Sequence, residues 1–388
     1  MLKIKFENLL VILVLSVIVG YDVIMTSVLN KTLPQLPTIL LIGVALVLSL
    51  RFLFIKNFSI SFIVSGILLI VTSLCVFLQT GATNFLLYSL LILLLYDVDV
   101  DVILKTYVFI AGSIVIGIFL LSLIGLLPNL QFAQVRSSSS GLVIRNSFGF
   151  IYPTDFASHC FYLFIAWGYL LREKYIWLRV AVGVALSAFI IKFCDARLNS
   201  MSILIAVIIF LVMYYTKEKK FKVYYILPYS AAIFSSLMFY LSSHFSFSSP
   251  FFVKLNDFFS MRLFLGKNAL DTYKLHLFGT NNVKFIGYGG TTESVLSYNY
   301  VDSSYIQMLF YYGIVPVVLL VLVYVLSSRR FYKEGKMLFL SLLSLITINC
   351  MIEAFWIRPG YNIFMFTLFA SLISIKEIND EENKIEIL

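Results

Sequence analysis

Residues 58–79 read FSISFIVSGILLIVTSLCVFLQ, an apolar stretch without a single charged side chain. A helix of about 20 apolar residues is long enough to cross the hydrocarbon core of a bilayer. Similar runs recur along the chain of 388 residues, of which 61% are apolar and only 13% are charged. An ordinary soluble domain has about 25% charged residues. The sequence therefore predicts an all-α polytopic membrane protein. It excludes a soluble enzyme, a nucleic-acid-binding domain and a secreted disulfide scaffold.

The apolar runs between charged and turn residues predict about 12 transmembrane helices. The first run lacks a small-residue cleavage site, so we expect a retained helix and not a signal peptide. The fourth run is short for a bilayer about 30 Å thick. The predicted spans are residues 8–28, 35–50, 58–79, 84–96, 106–127, 153–171, 176–193, 201–215, 224–243, 303–327, 337–352 and 361–375.

The distribution of Lys and Arg predicts the orientation of these spans. With the N-terminus inside, every short inner loop carries basic side chains, including the Lys-rich stretch 217–222. Cytoplasmic loops of membrane proteins carry such an excess. An even number of spans returns the C-terminus to the same side, so we expect an N-in/C-in topology. The formal charge of +9 then sets topology and does not indicate binding to nucleic acid.

Two connections on the expected outer side, residues 128–152 and 244–302, are too long to be simple turns. In the second, between spans nine and ten, Phe251, Leu255 and Phe258 recur at helical spacing, and Arg262 falls on the same face. This spacing predicts a folded extracytoplasmic loop domain with a helix lying on the membrane part. The expected organisation is spans one to nine in 1–243, the loop domain in 244–302, spans ten to twelve in 303–375 and a cytoplasmic tail in 376–388.

Motifs for nucleotide or metal chemistry do not occur in the sequence. It has no P-loop, GxSxG or HExxH, and its Cys and His residues lack metal-ligand spacing, so we expect no metal and no cofactor. The informative residues are ionisable side chains at the outer ends of spans, where charge is costly unless it is paired or wet. They are Arg136, Arg145, Asp155, Asp195, Arg197, Arg262, Asp302, Glu353 and Arg358.

Each candidate also has a structural interpretation. Arg197, in the turn FCDARLNS, could snorkel or pair with Asp195, or bind an anion at the mouth of a cavity. Arg262 on an apolar face needs either an acidic neighbour or an anionic ligand. Asp302 could cap the tenth span or direct a carboxylate into a site. Arg145 lies in the same turn-and-cap motif as Asp155.

Two further candidates are less specific. Arg136 precedes a serine run typical of a hinge. Asp22 lies within the first span, where an acid is a functional candidate or the partner of a Lys or Tyr. Outward-facing Arg side chains suit phosphate, which Arg binds by a two-pronged contact. A diphosphate-linked sugar at the outer membrane surface fits them, and Tyr side chains there could stack on the sugar.

The stretch MRLFLGKNAL…LFG…GYGG…VDSSYIQMLFYYGI, within residues 261–314, resembles the C-terminal part of O-antigen polymerases and ligases. That family tends to have an Arg opening a loop helix, a Gly-rich turn, and an acidic or His residue before the next helix. Arg262, the glycines of 287–290 and Asp302 match these features. The segments RNSFGFIYPTDFA and DARLNS also resemble the family around Arg145 and Arg197.

The resemblance implies a glycosyltransferase of the bacterial cytoplasmic (inner) membrane with its active site facing outside. The hydroxyl of one undecaprenyl-diphosphate-linked oligosaccharide attacks the anomeric carbon of another, and undecaprenyl diphosphate leaves. Arg197 and Arg262 would neutralise the diphosphate, and Asp302 would orient or deprotonate the hydroxyl. The remaining substrate contacts would come from Arg136, Arg145, Asp155, Tyr288, Tyr305, Glu353 and Arg358. The implied partners are this lipid-linked oligosaccharide, the lipid bilayer, a flippase and chain-length regulator proteins.

One departure from the family pattern favours a polymerase of capsule or exopolysaccharide. The ligase branch usually has a His where this sequence has Asp302, and His276 is not in that context. A polysaccharide ligase is the first alternative. A lipid-linked oligosaccharide flippase or another transporter is the second, although the long outer loop and the lack of visible repeats disfavour it.

Overall fold

The structure is a computed structural model that describes residues 6–32, 34, 36–53, 55, 58–135, 142–289 and 298–372. This part of the chain is mostly helical. Six of its helical segments are long and apolar enough to cross a membrane, and four shorter helices are also apolar. The six are Ile60–Thr80, Val100–Leu123, Ile176–Cys194, Arg197–Thr216, Lys222–Ser243 and Ile314–Lys333.

Most of the helices coincide with predicted spans. Three 3-10 helices, Val28–Lys31, Lys222–Tyr229 and Ile363–Thr367, accompany them. The α-helices are α1 (Phe6–Met25), α2 (Pro37–Phe52), α3 (Ile60–Thr80), α4 (Asn84–Leu94), α5 (Val100–Leu123), α6 (Pro153–Leu170), α7 (Ile176–Cys194), α8 (Arg197–Thr216), α9 (Ser230–Ser243), α10 (Pro250–Phe258), α11 (Arg262–Thr272), α12 (Ser304–Tyr311), α13 (Ile314–Lys333) and α14 (Met337–Asn349).

The long helices expose their apolar faces, as α3 illustrates. Ile60 and Leu78 are each 81% exposed, whereas Ser73 is fully buried. The Ser73 hydroxyl donates a hydrogen bond to Ser89 of α4 at 2.8 Å. Exposed aliphatic side chains on a long helix suit contact with lipid, and small hydroxyl residues are typical of the packed side of membrane helices. This pattern agrees with the helical membrane protein that the sequence predicts.

The predicted tenth span, residues 303–327, is interrupted at Gly313. Its φ is +94°, and a Cβ there would lie 2.4 Å from the carbonyl oxygen of Leu277 in the outer loop. Ile314 N donates to the His276 carbonyl, Val315 N donates to the Leu277 carbonyl, and Thr280 N donates to the Phe310 carbonyl, at 2.8–3.1 Å. The connection 244–302 therefore supplies partners for the backbone groups that the break between α12 and α13 leaves unpaired.

The predicted twelfth span, 361–375, is not a continuous α-helix in its described part, which ends at Leu372. It holds the 3-10 helix Ile363–Thr367 and is almost entirely buried. Gly360 N donates to Asp22 on α1, and Ser371 N donates to the Val98 carbonyl just before α5. Irregular backbone of this kind is stable where protein encloses it. The apolar composition thus reflects burial within the protein.

The outer connection 128–152 contains two strands, which the all-α prediction did not include. β1 (Gln131–Val135) pairs antiparallel with β2 (Leu142–Asn146), and Phe132 lies opposite Arg145. The side chains of Asn129 and Ser147 hold the base of this hairpin through hydrogen bonds to the backbone. The hairpin is short, so its period-two pattern is easily missed among longer apolar runs.

The predicted helix through Phe251, Leu255, Phe258 and Arg262 was wrong in its extent. Helix α10 ends at Phe258, and Ser260 and Met261 adopt left-handed backbone conformations with φ of 49° and 69°. Arg262 therefore begins a separate helix, α11, and does not share an apolar face with the phenylalanines. Phe251 and Phe258 are exposed. The buried Asn256 accepts a hydrogen bond from Phe264 N and so fixes the turn between the two helices.

Candidate functional site

A cavity of about 740 Å³ gathers most of the predicted site residues. It lies where the end of α1, the start of α6, the β-hairpin and the start of α11 meet the segment 353–361. Its size is within the range of about 300–1,000 Å³ that is usual for ligand sites. The predicted site residues that line it are Arg145, Asp155, Arg262, Tyr288, Asp302, Glu353 and Arg358.

Arg262 and Asp302 form an ion pair on one wall of the cavity, with Nη2 and Oδ2 2.9 Å apart. Nη1 of Arg262 donates to the Ser260 carbonyl at 2.8 Å, so the left-handed turn before α11 also holds the guanidinium. Both side chains remain partly exposed to the cavity. Arg262 therefore has the acidic neighbour that the structural interpretation required, and the pair still faces the cavity.

Arg358 pairs with Asp22, for which a Lys or Tyr partner was considered from the sequence. Its Nη2 donates to Oδ1 of Asp22 at 2.7 Å, and Gly360 N donates to Oδ2 of the same carboxylate. A Cβ on Gly360 would lie 2.9 Å from Oδ2, so glycine allows this close approach. In the described part of the chain, Asp22 is the only hydrogen-bonding partner of the Arg358 guanidinium. Arg358 Nε is buried without a partner among the described residues, so only the terminal N–H groups that Asp22 does not engage are available beside the cavity.

Asp155 is fixed by two hydrogen bonds in the first turn of α6. Its Oδ2 accepts from Tyr152 N at 3.1 Å, and its Oδ1 accepts from the Tyr361 hydroxyl at 3.0 Å. The Tyr361 ring stacks on His159, with ring centroids 4.0 Å apart. His159 in turn contacts Thr26 of the α1 end at 2.9 Å. This network joins α1, α6 and the segment after α14 beneath the cavity.

Arg145 projects from β2 to the opposite wall. Its Nε donates to the Cys194 carbonyl at the end of α7, and its Nη1 donates to Gln134 of β1. Tyr288 packs near Phe132 of β1 and against Tyr298, with centroid distances of 6.5 and 5.0 Å. Aromatic rings therefore border the guanidinium side of the cavity.

The Glu353 carboxyl differs from the other acids. The residue is only 5% exposed and lines the cavity. No other described residue forms a hydrogen bond or an ion pair with its side chain. Burial raises the pKa of this carboxyl to about 8, although Arg262 acts in the opposite direction. Burial also raises the pKa of Asp302 against the same opposing influence of Arg262.

Two predicted site residues are described by the structure and are not among those that line the cavity. Arg197 pairs with Asp195 at 3.3 Å, and its side chain is 48% exposed at the α7–α8 turn. This is the structural alternative considered for it. Tyr305 lies in the core, where its hydroxyl donates to the Thr347 carbonyl and its ring packs on Trp356. Arg136 lies outside the described residues.

Sequence reasoning missed the residues that support the site. Tyr152 and Tyr361 both line the cavity. The Tyr152 hydroxyl accepts a hydrogen bond from Gly289 N, and the Tyr361 hydroxyl donates one to Asp155. The only available signal was their position beside residues already singled out, Asp155 and Arg358. In the described part of the chain, no group of three His, Cys, Asp or Glu residues is placed to hold a metal ion.

Comparisons with known proteins do not indicate a function, so the functional argument rests on this geometry. The chain matches no protein-family model, no curated protein and no solved structure. Fold and site together define a helical protein with membrane-length apolar helices and an ionisable, tyrosine-lined cavity near several helix ends.

Proposed function

We propose that the protein is a polysaccharide polymerase that joins undecaprenyl-diphosphate-linked oligosaccharide repeat units. The observation that carries the proposal is the composition of the cavity. Guanidinium groups, carboxyl groups and tyrosine rings converge in one space among apolar helices. Guanidinium groups suit a diphosphate, carboxyl groups suit an attacking hydroxyl, and tyrosine rings suit sugar rings.

Arg358 is the best-supported contact for the donor diphosphate. Asp22 engages one of its terminal nitrogens and leaves other donors toward the cavity. Arg262 is the second candidate, although it must share its guanidinium between Asp302 and the phosphate. Such preorganised donors stabilise negative charge as it develops on the leaving diphosphate. Arg197 has no part in this proposal, because it lies outside the cavity lining.

An apolar groove supports a lipid-linked substrate. It has a volume of about 570 Å³, lies along α5, α6 and α7, and includes Phe109, Ile116, Phe119, Phe156 and Trp167. Phe156 follows directly after Asp155 of the cavity, so a polar and an apolar site adjoin at the start of α6. A polyprenyl diphosphate has the same two-part chemistry, with an anionic head and a long hydrocarbon chain.

The proposed setting is the bacterial cytoplasmic membrane, with both termini inside and the cavity open to the outside. The proposed twelve crossings include the irregular segment 361–372 as the last, which protein encloses. A flippase would deliver the substrate, and chain-length regulators would act on the product. A cysteine introduced at the exposed Ser248 should react with an impermeant reagent from outside, and one at Lys219 should not, in a variant that lacks the four native cysteines. The opposite labelling pattern would contradict this orientation.

In the decisive experiment, the lipid-linked repeat unit alone is added to purified protein in liposomes. A polymerase forms a ladder of products on this single substrate and releases undecaprenyl diphosphate. A ligase forms product only when a separate acceptor is added, and a transporter moves the substrate without joining it. Absence of a ladder from protein that is folded and correctly oriented would overturn the proposal.

A further inference from the structure

Among the residues that the structure describes, three carboxyl side chains line the cavity, and two of them are already engaged. Asp155 accepts hydrogen bonds on both oxygens, from Tyr152 N and from the Tyr361 hydroxyl. Asp302 is paired with Arg262 at 2.9 Å. Burial raises the pKa of both carboxyls, that of Asp155 to about 7. Asp155 nevertheless has a partner on each oxygen and Asp302 is paired with a guanidinium, so each is less free than Glu353 to take the proton of a bound hydroxyl.

Glu353 is the third carboxyl, and its backbone is anchored while its side chain is not. Glu353 N donates to the Asn349 carbonyl at the end of α14, and its carbonyl accepts from the Ser304 hydroxyl at 2.5 Å. Ser304 Oγ also accepts from Trp356 N, so α12 and the segment after α14 are joined at this point. The carboxyl is thus positioned by a rigid backbone and left open to the cavity.

We infer that Glu353 is the proton acceptor for the hydroxyl that attacks the sugar. This inference rests on the proposed polymerase function. The hydroxyl oxygen forms a bond to the anomeric carbon while the bond from that carbon to the diphosphate oxygen breaks. The electron pair of the broken bond leaves with the diphosphate, and the hydroxyl proton passes to a Glu353 carboxylate oxygen. The proton then leaves to solvent before the next turnover.

The electrostatic surroundings agree with this role. Burial, together with Asp302 and Asp155, raises the pKa of Glu353 to about 8, although Arg262 and Arg145 act to lower it. A general base works best when its pKa lies near the operating pH, since it must be partly ionised and still hold a proton strongly. A carboxyl with an ordinary pKa would be a much weaker base for a sugar hydroxyl.

The test is the rate of polymer formation in liposomes between pH 6 and pH 9 with saturating lipid-linked repeat unit. The wild-type rate should rise with pH and level off near pH 8, as the carboxyl ionises. Glu353→Gln should lose about 10²- to 10⁴-fold in turnover, the usual contribution of general base catalysis, and should lose the rising limb. It should still bind the substrate. Glu353→Asp should retain part of the activity and keep a rising limb.

Glu334→Gln is the matched control, because Glu334 pairs with Arg330 at the C-terminal end of α13 and is not among the cavity-lining residues. It should leave both rate and pH profile unchanged. Full turnover of Glu353→Gln with an unaltered profile would overturn the inference. If Glu353→Gln does not fold, a wild-type rate that is flat from pH 6 to pH 9 would also overturn it. Absence of polymer from the wild-type protein would instead reject the polymerase function itself.

Discussion

The α7–α8 turn and the segment after α14 each place an Arg beside an Asp at the end of a predicted span, yet they differ in their surroundings. Arg197 pairs with Asp195, two residues away, and its side chain is 48% exposed. Arg358 pairs with Asp22 from a distant part of the chain, its side chain is 35% exposed, and it lines the cavity. An Arg at a helix end therefore becomes a site residue only where other elements enclose it.

The largest expected difference between the two regions is in activity. Arg358→Lys should lower polymer formation by about 10²- to 10³-fold, because Lys offers a point charge where Arg offers a fork of donors. Arg197→Lys should retain nearly the wild-type rate. The measurement is initial rate in liposomes at equal amounts of folded protein. Equal losses in both variants would remove the distinction between the two sites.

The next difference concerns stability. Asp22→Asn removes the charge that faces Arg358 and should lower the free energy of unfolding by about 2–3 kcal/mol, as for a lost hydrogen bond to a charged group. Asp195→Asn should cost about 0.2–1 kcal/mol, because its partner Arg197 is exposed to solvent. Denaturant unfolding in mixed detergent compares the two. A smaller loss for Asp22→Asn than for Asp195→Asn would reverse the assignment.

Gly360 allows the importance of the close backbone approach to Asp22 to be tested. Gly360→Ala places a methyl group 2.9 Å from both Asp22 Oδ2 and Val23 N, and should destabilise the protein by about 1–2 kcal/mol through overpacking. Gly43→Ala on α2 is the control, since a Cβ there meets no atom within 4 Å. The same unfolding measurement applies. If Gly360→Ala were as stable as Gly43→Ala, the close approach to Asp22 would not be required.

The smallest expected effect is that of removing divalent cations. Arg358 and Arg262 carry positive charge toward the cavity, so polymer formation should be unchanged after treatment with EDTA. The measurement is the yield and length of the polymer ladder before and after treatment. Activity that EDTA abolishes and Mg²⁺ or Mn²⁺ restores would assign metal ligation to acids such as Asp155 or Asp302.

The sequence predicts the helices well because apolar runs report burial in lipid or protein directly. Composition alone does not distinguish these two environments, which is why 361–372 was expected to be a regular helix and is instead a buried, irregular segment. The break at Gly313 is equally hidden. It depends on carbonyl groups of His276 and Leu277 that reach it from the outer loop.

The site was predictable at the level of residue types and not at the level of partners. Arg262, Asp302 and Glu353 stood out because charge at a span end is costly. The pairing of Arg358 with Asp22 was not predictable, because it joins the two ends of the chain through tertiary packing. The same limit applied to Arg197, whose local sequence looked as promising as that of Arg358.

The backbone hydrogen bonds that join His276, Leu277 and Thr280 to the α12–α13 break divide the long connection 244–302 into two shorter closures. The conformational entropy of a loop depends on the length between its fixed points, so this anchor reduces the cost of ordering the connection. It also allows the two parts of the connection to change in sequence independently. We expect that residues between Thr280 and Asp302 can diverge to suit different sugars while the anchor keeps the membrane helices in register. Variation in substrate choice would then accumulate on one side of the anchor without loss of fold.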